Sequence, residues 1–257
     1  MKIHRSSRLP LAAIIAVVTA STLHAATVVY STDFNSPAYS DGGIIGQDGW
    51  AITLTSTINP INVANTGSNG SVSLATTGQD VRRSFTPTAS SGSVYLKADI
   101  TVGSAQTAGD YFLHLSDGGT SNFYSRVYIK SSGTGFVMAL GTSSGTAGLV
   151  YGSTVLNFAT AYTMLARYDF VAGAANDTGA LFINPTNDDG VGNTPYVAAT
   201  TIGTDAALFG TVALRQGTAA SAPTVTIDNL VVSVPEPDAA VLGSIGLLAL
   251  LRRRRSS

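Results

Sequence analysis

The sequence predicts an all-β fold, an antiparallel β-sandwich of many short strands. Three observations carry this. Apolar and polar residues alternate with period two, most cleanly over 93–102, where Val94, Leu96, Ala98, Ile100 and Val102 interleave with Tyr95, Lys97, Asp99 and Thr101. That period belongs to a strand with one buried face. Stretches such as "SDGGTSN", "KSSGTG" and "GTSSGTAG" punctuate the alternating segments with turn residues. The acids are almost all Asp, a turn former, and the only Glu is Glu236.

Taken in order, residues 1–26 predict a secretory signal peptide. "MKIHRSSR" is a basic start, "LPLAAIIAVV" an apolar stretch of the right length, and "TASTLHAA" offers small residues for cleavage after Ala25 or Ala26. An uncleaved N-terminal anchor is the alternative, and both readings export the body of the chain. Residues 27–233 form one β-domain. Strands are expected at "ATVVYSTDF", "VRRSF", 93–102, "DYFLHLS", "YSRVYIK", "GFVMALG", "TVLNFA", "YTMLARYDFV", "GALFIN", "TVALRQ" and "TVTIDNLVVSV". Strands this short and this regularly spaced pack as an antiparallel sandwich. The most loop-like stretch, "TNDDGVGNTP", is too short to divide the domain.

Residues 234–257 close the chain with "VPEPDAAVLGSIGLLALLRRRRSS". The apolar run Ala239 to Leu251 would cover about 20 Å as a short transmembrane helix, less than the ~30 Å of a bilayer core. Arg252, Arg253, Arg254 and Arg255 would hold its end on the cytoplasmic side of the inner membrane, leaving the body outside. Pro235, Glu236 and Pro237, the short helix and the four arginines, in that order, resemble the PEP-CTERM sorting signal of exopolysaccharide-producing Gram-negative bacteria. The resemblance implies an exosortase-type processing enzyme as partner, transient anchoring in the inner membrane, cleavage near the PEP motif, and delivery to the cell surface or extracellular matrix. A plain tail anchor is the alternative.

The body resembles a concanavalin A-like, LamG-type jelly roll, through "DFNSPAYSDGGIIGQDGW", "DYFLHLSDG", "YSRVYIKSSGTGFVMAL", "YDFVAGAANDTGALFINP" and "IDNLVV". That family implies the fold. Its members include sugar-binding modules, glycoside hydrolases and adhesive modules.

Composition narrows the chemistry. Residues 27–234 hold thirteen Asp against seven basic residues, and no basic stripe for nucleic acid. Cys is absent, which removes disulfides, thiolate metal sites and cysteine nucleophiles. Without Glu, the body lacks the usual carboxylate pair of a glycosidase. The single histidine of residues 27–234, His114, makes a catalytic triad or a zinc site a poor reading. The residues therefore argue against an enzyme.

Two kinds of candidate site remain. Structural Ca²⁺ asks for hard oxygen ligands. Asp33 with Asp228, brought together by terminal strands as such jelly rolls imply, is one candidate, with capping of a strand bulge as the alternative. The loop Asn187, Asp188, Asp189, Gly190 and Asn193 is another, with a solvated turn as the alternative. The second kind is a glycan-binding face. With Val94/Leu96, Leu113/Leu115 and Val127/Ile129 pointing inward, the reverse face would show Tyr95, Lys97, Phe112, His114, Arg126 and Tyr128 on one sheet, joined by Arg167. A solvated or loop-covered face is the alternative. Trp50 reads as a core plug. The leading expectation is an exported, non-enzymatic surface or matrix protein with a structural or adhesive role. A carbohydrate-binding module for extracellular polysaccharide is the alternative, and a glycoside hydrolase ranks last.

Overall fold

The computed structural model describes residues 26–235, apart from 54–57, 89, 144, 147 and 201–202. Residues 1–25 of the expected signal peptide and Glu236 to Arg255 of the expected tail lie outside the described residues.

The described chain is all-β, and no helix in it is long and apolar enough to cross a membrane. In order, the strands are β1 (Ala26–Thr32), β2 (Gly42–Gly43), β3 (Trp50–Ile52), β4 (Asn62–Ala64), β5 (Ser71–Leu74), β6 (Val81–Ser84), β7 (Gly92–Ser104) and β8 (Asp110–Ser116). Then come β9 (Phe123–Ser132), β10 (Gly135–Gly141), β11 (Ala161–Phe170), β12 (Thr178–Ile183), β13 (Val197–Thr200), β14 (Thr211–Leu214) and β15 (Thr224–Pro235). One sheet has nine strands, ordered β13-β12-β11-β7-β15-β5-β4-β2 with β1 also on β15; the other has six, ordered β10-β9-β8-β14-β6-β3. Every pairing is antiparallel, as hairpin-connected short strands favour.

The inner faces share one core. Leu96, Ile100, Ile227 and Val232 from the larger sheet meet Val127, Ile129, Met138 and Leu214 from the smaller. Alternation in β7 and β15 supplies the pattern, and the outward positions of β7 are Tyr95, Lys97, Asp99 and Thr101. Trp50 is 2 % exposed and its Nε1 donates to Tyr39 Oη at 3.0 Å, so it plugs the core as expected. Tyr39 and Tyr30 in turn both donate to Asp48 Oδ2, at 3.0 and 3.1 Å.

Two expectations about local structure change. "TVLNFA" is not a strand; it touches β10 through one bridge, Phe136 with Leu156. The register of β8 against β9 shifts on both sides of Leu113, so Phe112 and Leu113 both enter the core. A bulge of this kind breaks strict alternation. Phe112 therefore does not belong to the outward face.

Candidate functional site

The seven residues expected on one glycan face are divided between the two sheets. Tyr95 and Lys97 sit on β7 and Arg167 on β11, in the nine-stranded sheet. His114 sits on β8, and Arg126 and Tyr128 on β9, in the six-stranded sheet. Period two tells inward from outward but does not tell which sheet a strand joins. The chain crosses from one sheet to the other between β7 and β8.

On the nine-stranded sheet, Tyr95 is buried with Leu165, Ala180 and Phe182 in a small separate cluster. Arg167 Nε pairs with Asp169 Oδ2 at 3.0 Å, and Lys97 Nζ with Asp188 Oδ1 at 2.8 Å. This part of the face is thus internally satisfied. The 187–193 loop is equally self-contained. Asn187 Oδ1 accepts from Gly190 N and Asn193 Nδ2, and Asp189 Oδ1 accepts from Val191 N. Its oxygens are engaged as those of a polar turn are.

Farther along the same sheet, a cavity of about 430 Å³ is lined by Asp99, Thr163, Asn184, Asp228 and Asn229. Asp99 and Asp228 face each other across β7 and β15. Asp99 accepts from Thr163 Oγ1 at 2.5 Å and from Asn229 Nδ2 at 2.8 Å. Partial burial raises the Asp228 pKa, and the charges of Asp99 and Asp33 raise it further against a backbone hydrogen bond from Asn229. Asp33 lies near enough to be felt but is exposed, and its Oδ1 is taken by Asn35 N. Among the described residues, no group of three or more His, Asp or Glu is arranged to hold a metal ion.

The outer face of the six-stranded sheet is different in kind. Tyr111, His114, Phe123 and Tyr128 form a continuous aromatic cluster. His114 is 4.4 Å from Phe123 and 5.4 Å from Tyr111, centroid to centroid, and Tyr111 is 5.4 Å from Tyr128. The Arg126 guanidinium lies 5.2 Å from both the Tyr111 and the Tyr128 rings, and Arg215 lies 4.3 Å from Tyr111. Lys130 sits 4.1 Å over Tyr151. Such edge and cation–π geometries are favourable in a desolvated site.

Three residues expected to display themselves here lie deep instead: His114 is 3 % exposed, Arg126 5 % and Tyr128 4 %. Tyr111, Phe123, Arg82, Lys130 and Arg215 are the half-buried, reachable residues of this face. Sequence reading missed Tyr111 because the bulge at Leu113 puts it out of phase with Leu115. Arg215 and Arg82 carried a usable signal, standing opposite Leu214 and Val81 in alternation.

Buried atoms of four polar side chains on this face have no hydrogen-bond partner: Arg82 Nη1, both ring nitrogens of His114, Arg126 Nε and Tyr128 Oη. Buried polar atoms are rarely left so. Burial, then the charges of Arg126 and Arg215, depresses the His114 pKa to about 3, so the ring is neutral. Burial pushes the Tyr128 hydroxyl up to about 12, keeping it a donor. Arg126 Nη2 donates to the carbonyls of Ser143 and Gly145, pinning the loop after β10 across one side. Arg215 Nη1 meets Asp110 Oδ1 at 2.7 Å, and its Nε lies 3.9 Å from Asp80 Oδ2.

No protein-family model matches the chain, and no curated protein matches it. Solved structures do. The CBM2 module of evolved Dit from Lactobacillus casei BL23 phage J-1 superposes with a TM-score of 0.52 at 13% identity, over 84% of this chain and 98% of that one. An alginate lyase in complex with alginate trisaccharide gives 0.51 at 12%, over 79% and 96%. A carbohydrate esterase from Shiga toxin-encoding bacteriophage phi24B gives 0.50 at 13%, over 82% and 100%. At these identities the likeness is one of fold.

Proposed function

We propose that this chain is an exported, non-enzymatic protein of the cell surface or extracellular matrix, with a jelly-roll body that binds extracellular polysaccharide through the outer face of its six-stranded sheet. The observation that carries the binding reading is the reachable pair of rings Tyr111 and Phe123, packed on His114 and Tyr128 and accompanied on the same face by the reachable cations Arg82, Lys130 and Arg215. Aromatic planes beside reachable hydrogen-bonding side chains suit sugar rings, which offer both apolar faces and hydroxyls. The sugar-related proteins among the structures of like fold fit this reading.

A purely structural or adhesive role is the second reading. The loop that Arg126 holds over one side of the face favours it.

The absence of Glu from residues 26–235 supports binding without hydrolysis. The ends of the chain support export by a signal peptide and sorting by an exosortase-type enzyme, with the "VPEP" motif as its mark. Two measurements test the proposal. A polysaccharide panel should give saturable binding that Tyr111→Ala weakens about five- to tenfold. Silence across the panel would remove the sugar reading and leave the structural one. Intact mass of surface-extracted protein should lack the residues beyond about 238, and retention of Arg252 to Arg255 there would remove the sorting reading.

A further inference from the structure

The described residues 26–235 carry seven basic side chains against thirteen Asp. Four of the seven are paired with carboxylates: Arg83 with Asp48, Lys97 with Asp188, Arg167 with Asp169, and Arg215 with Asp80 and Asp110. Among the described residues, Arg82, Arg126 and Lys130 have no such partner, and all three stand on the outer face of the six-stranded sheet. In a body with this excess of acid, carboxylates are available to neutralise every cation. These three lack them while sharing one face.

Register places them. Arg82 pairs with Ala213 and Ala213 with His114, across β6, β14 and β8. Arg126 lies on the next strand, β9, opposite Gly141 of β10. A row of long polar side chains, Arg82, His114 and Arg126, thus runs across the sheet with the small residues Ala213 and Gly141 among them. Three strand spacings separate Arg82 from Arg126, about 14 Å, and Lys130 lies about 13 Å farther along β9. The unpartnered atoms of the face include the donors Arg82 Nη1, Arg126 Nε and Tyr128 Oη. The nearby carboxylates of Asp80 and Asp110 are committed to Arg215. Among the described residues, three cations of this face are thus left without a carboxylate partner.

We infer that this face takes an acidic polysaccharide, whose carboxylate or sulfate groups seat near Arg82, Arg126 and Lys130 while its rings lie on Tyr111 and Phe123. The inference rests on the polysaccharide-binding reading and names its ligand class. Arg82 and Lys130 are reachable and form the direct contacts. Arg126, beneath the aromatic rings, contributes its field in a desolvated site where charge acts strongly. A neutral glucan would leave those charges uncompensated.

The test uses the full chain with four probes: polygalacturonate, dextran sulfate, neutral dextran and duplex DNA. The expected result is binding to one or both acidic polysaccharides, weakening as salt rises. Arg82→Gln and Lys130→Gln should each weaken it about tenfold, with thermal midpoints near that of the unaltered protein. Lys97→Gln, on the other sheet, should leave binding unchanged. Polygalacturonate against dextran sulfate separates carboxylate from sulfate recognition. Equal or stronger binding of neutral dextran would overturn the acidic-ligand inference and leave the polysaccharide reading standing. Binding of DNA as tight as that of the acidic glycans would also overturn it, as generic polyanion attraction. Silence toward all three polysaccharides would overturn both.

Discussion

His114 makes the stability of this protein depend on pH in a window where nothing else in the body ordinarily titrates. It is the only histidine of residues 26–235, and there is no Cys. The ring is 3 % exposed, has no hydrogen-bond partner, and lies under Tyr111 and Phe123. Its pKa falls from 6.5 to about 3 on folding. In the unfolded chain the ring takes up a proton as pH drops through 6.5, while the folded chain refuses it. The unfolded state therefore gains, and the stability that is full above pH 6.5 is lost on acidification. At pH 5 the loss is about 2 kcal/mol, with a ceiling of about 5 kcal/mol below pH 3. For a domain of this size that is a fall of about 4–8 °C in Tm between pH 8 and pH 5. The comparison is with His114→Gln, melted in parallel by calorimetry. Asp80 and Asp228, whose pKa values burial raises, act in the opposite sense and are common to both proteins. The difference in slope isolates the histidine. If the two proteins lose stability in parallel from pH 8 to pH 5, His114 is protonated in the native state and the buried-neutral assignment is wrong.

Packing sets three further outcomes. Gln216 ties the 59–80 region to the six-stranded sheet, accepting from Ala75 N at 2.6 Å and donating to Asn59 O at 2.6 Å and Gln79 O at 3.1 Å. Gln216→Leu should lower stability by about 2–4 kcal/mol, read as a shifted urea midpoint at constant slope. Asp228→Asn should stabilise by up to about 1 kcal/mol at pH 7, because it removes like charges set directly across a strand pair; the gain should shrink as pH falls and Asp228 of the unaltered protein takes up its proton. Gly135→Ala would press a Cβ into the Leu156 carbonyl oxygen, and should cost about 1–3 kcal/mol in a thermal melt by breaking the Phe136–Leu156 bridge.

What the sequence made legible is what alternation controls. The strands at 93–102, 124–130, 162–171 and 224–234 are all present, because each buries one face and each has the length to show a period. The strands β2, β3, β4, β5 and β13 went unread. They are two to four residues long, too short for any period, and most lie among Asn, Ser, Thr and Gly that read as turn. "TVLNFA" looked like a strand from β-branched residues alone, yet only Leu156 pairs. For the glycan face, the sequence identified outward residues but not their company. Tyr95 and Tyr128 look alike in alternation and end on different sheets. That His114 would be covered by Tyr111 and Phe123 depends on a bulge that leaves no mark in composition.

The pairing of Ala26 with Pro235 has a mechanical consequence. β15 lies in the interior of its sheet, hydrogen-bonded to β7, β5 and β1. A pull on Pro235 directed along β15 loads these ladders lengthwise, so many bonds share the force before any breaks. A pull that draws Ala26 away from Pro235 instead peels β1 from β15 one pair at a time. A body held by its C-terminal strand while its six-stranded sheet grips a polymer would meet tension in the resistant direction. The same body pulled by both ends would open first between β1 and β15.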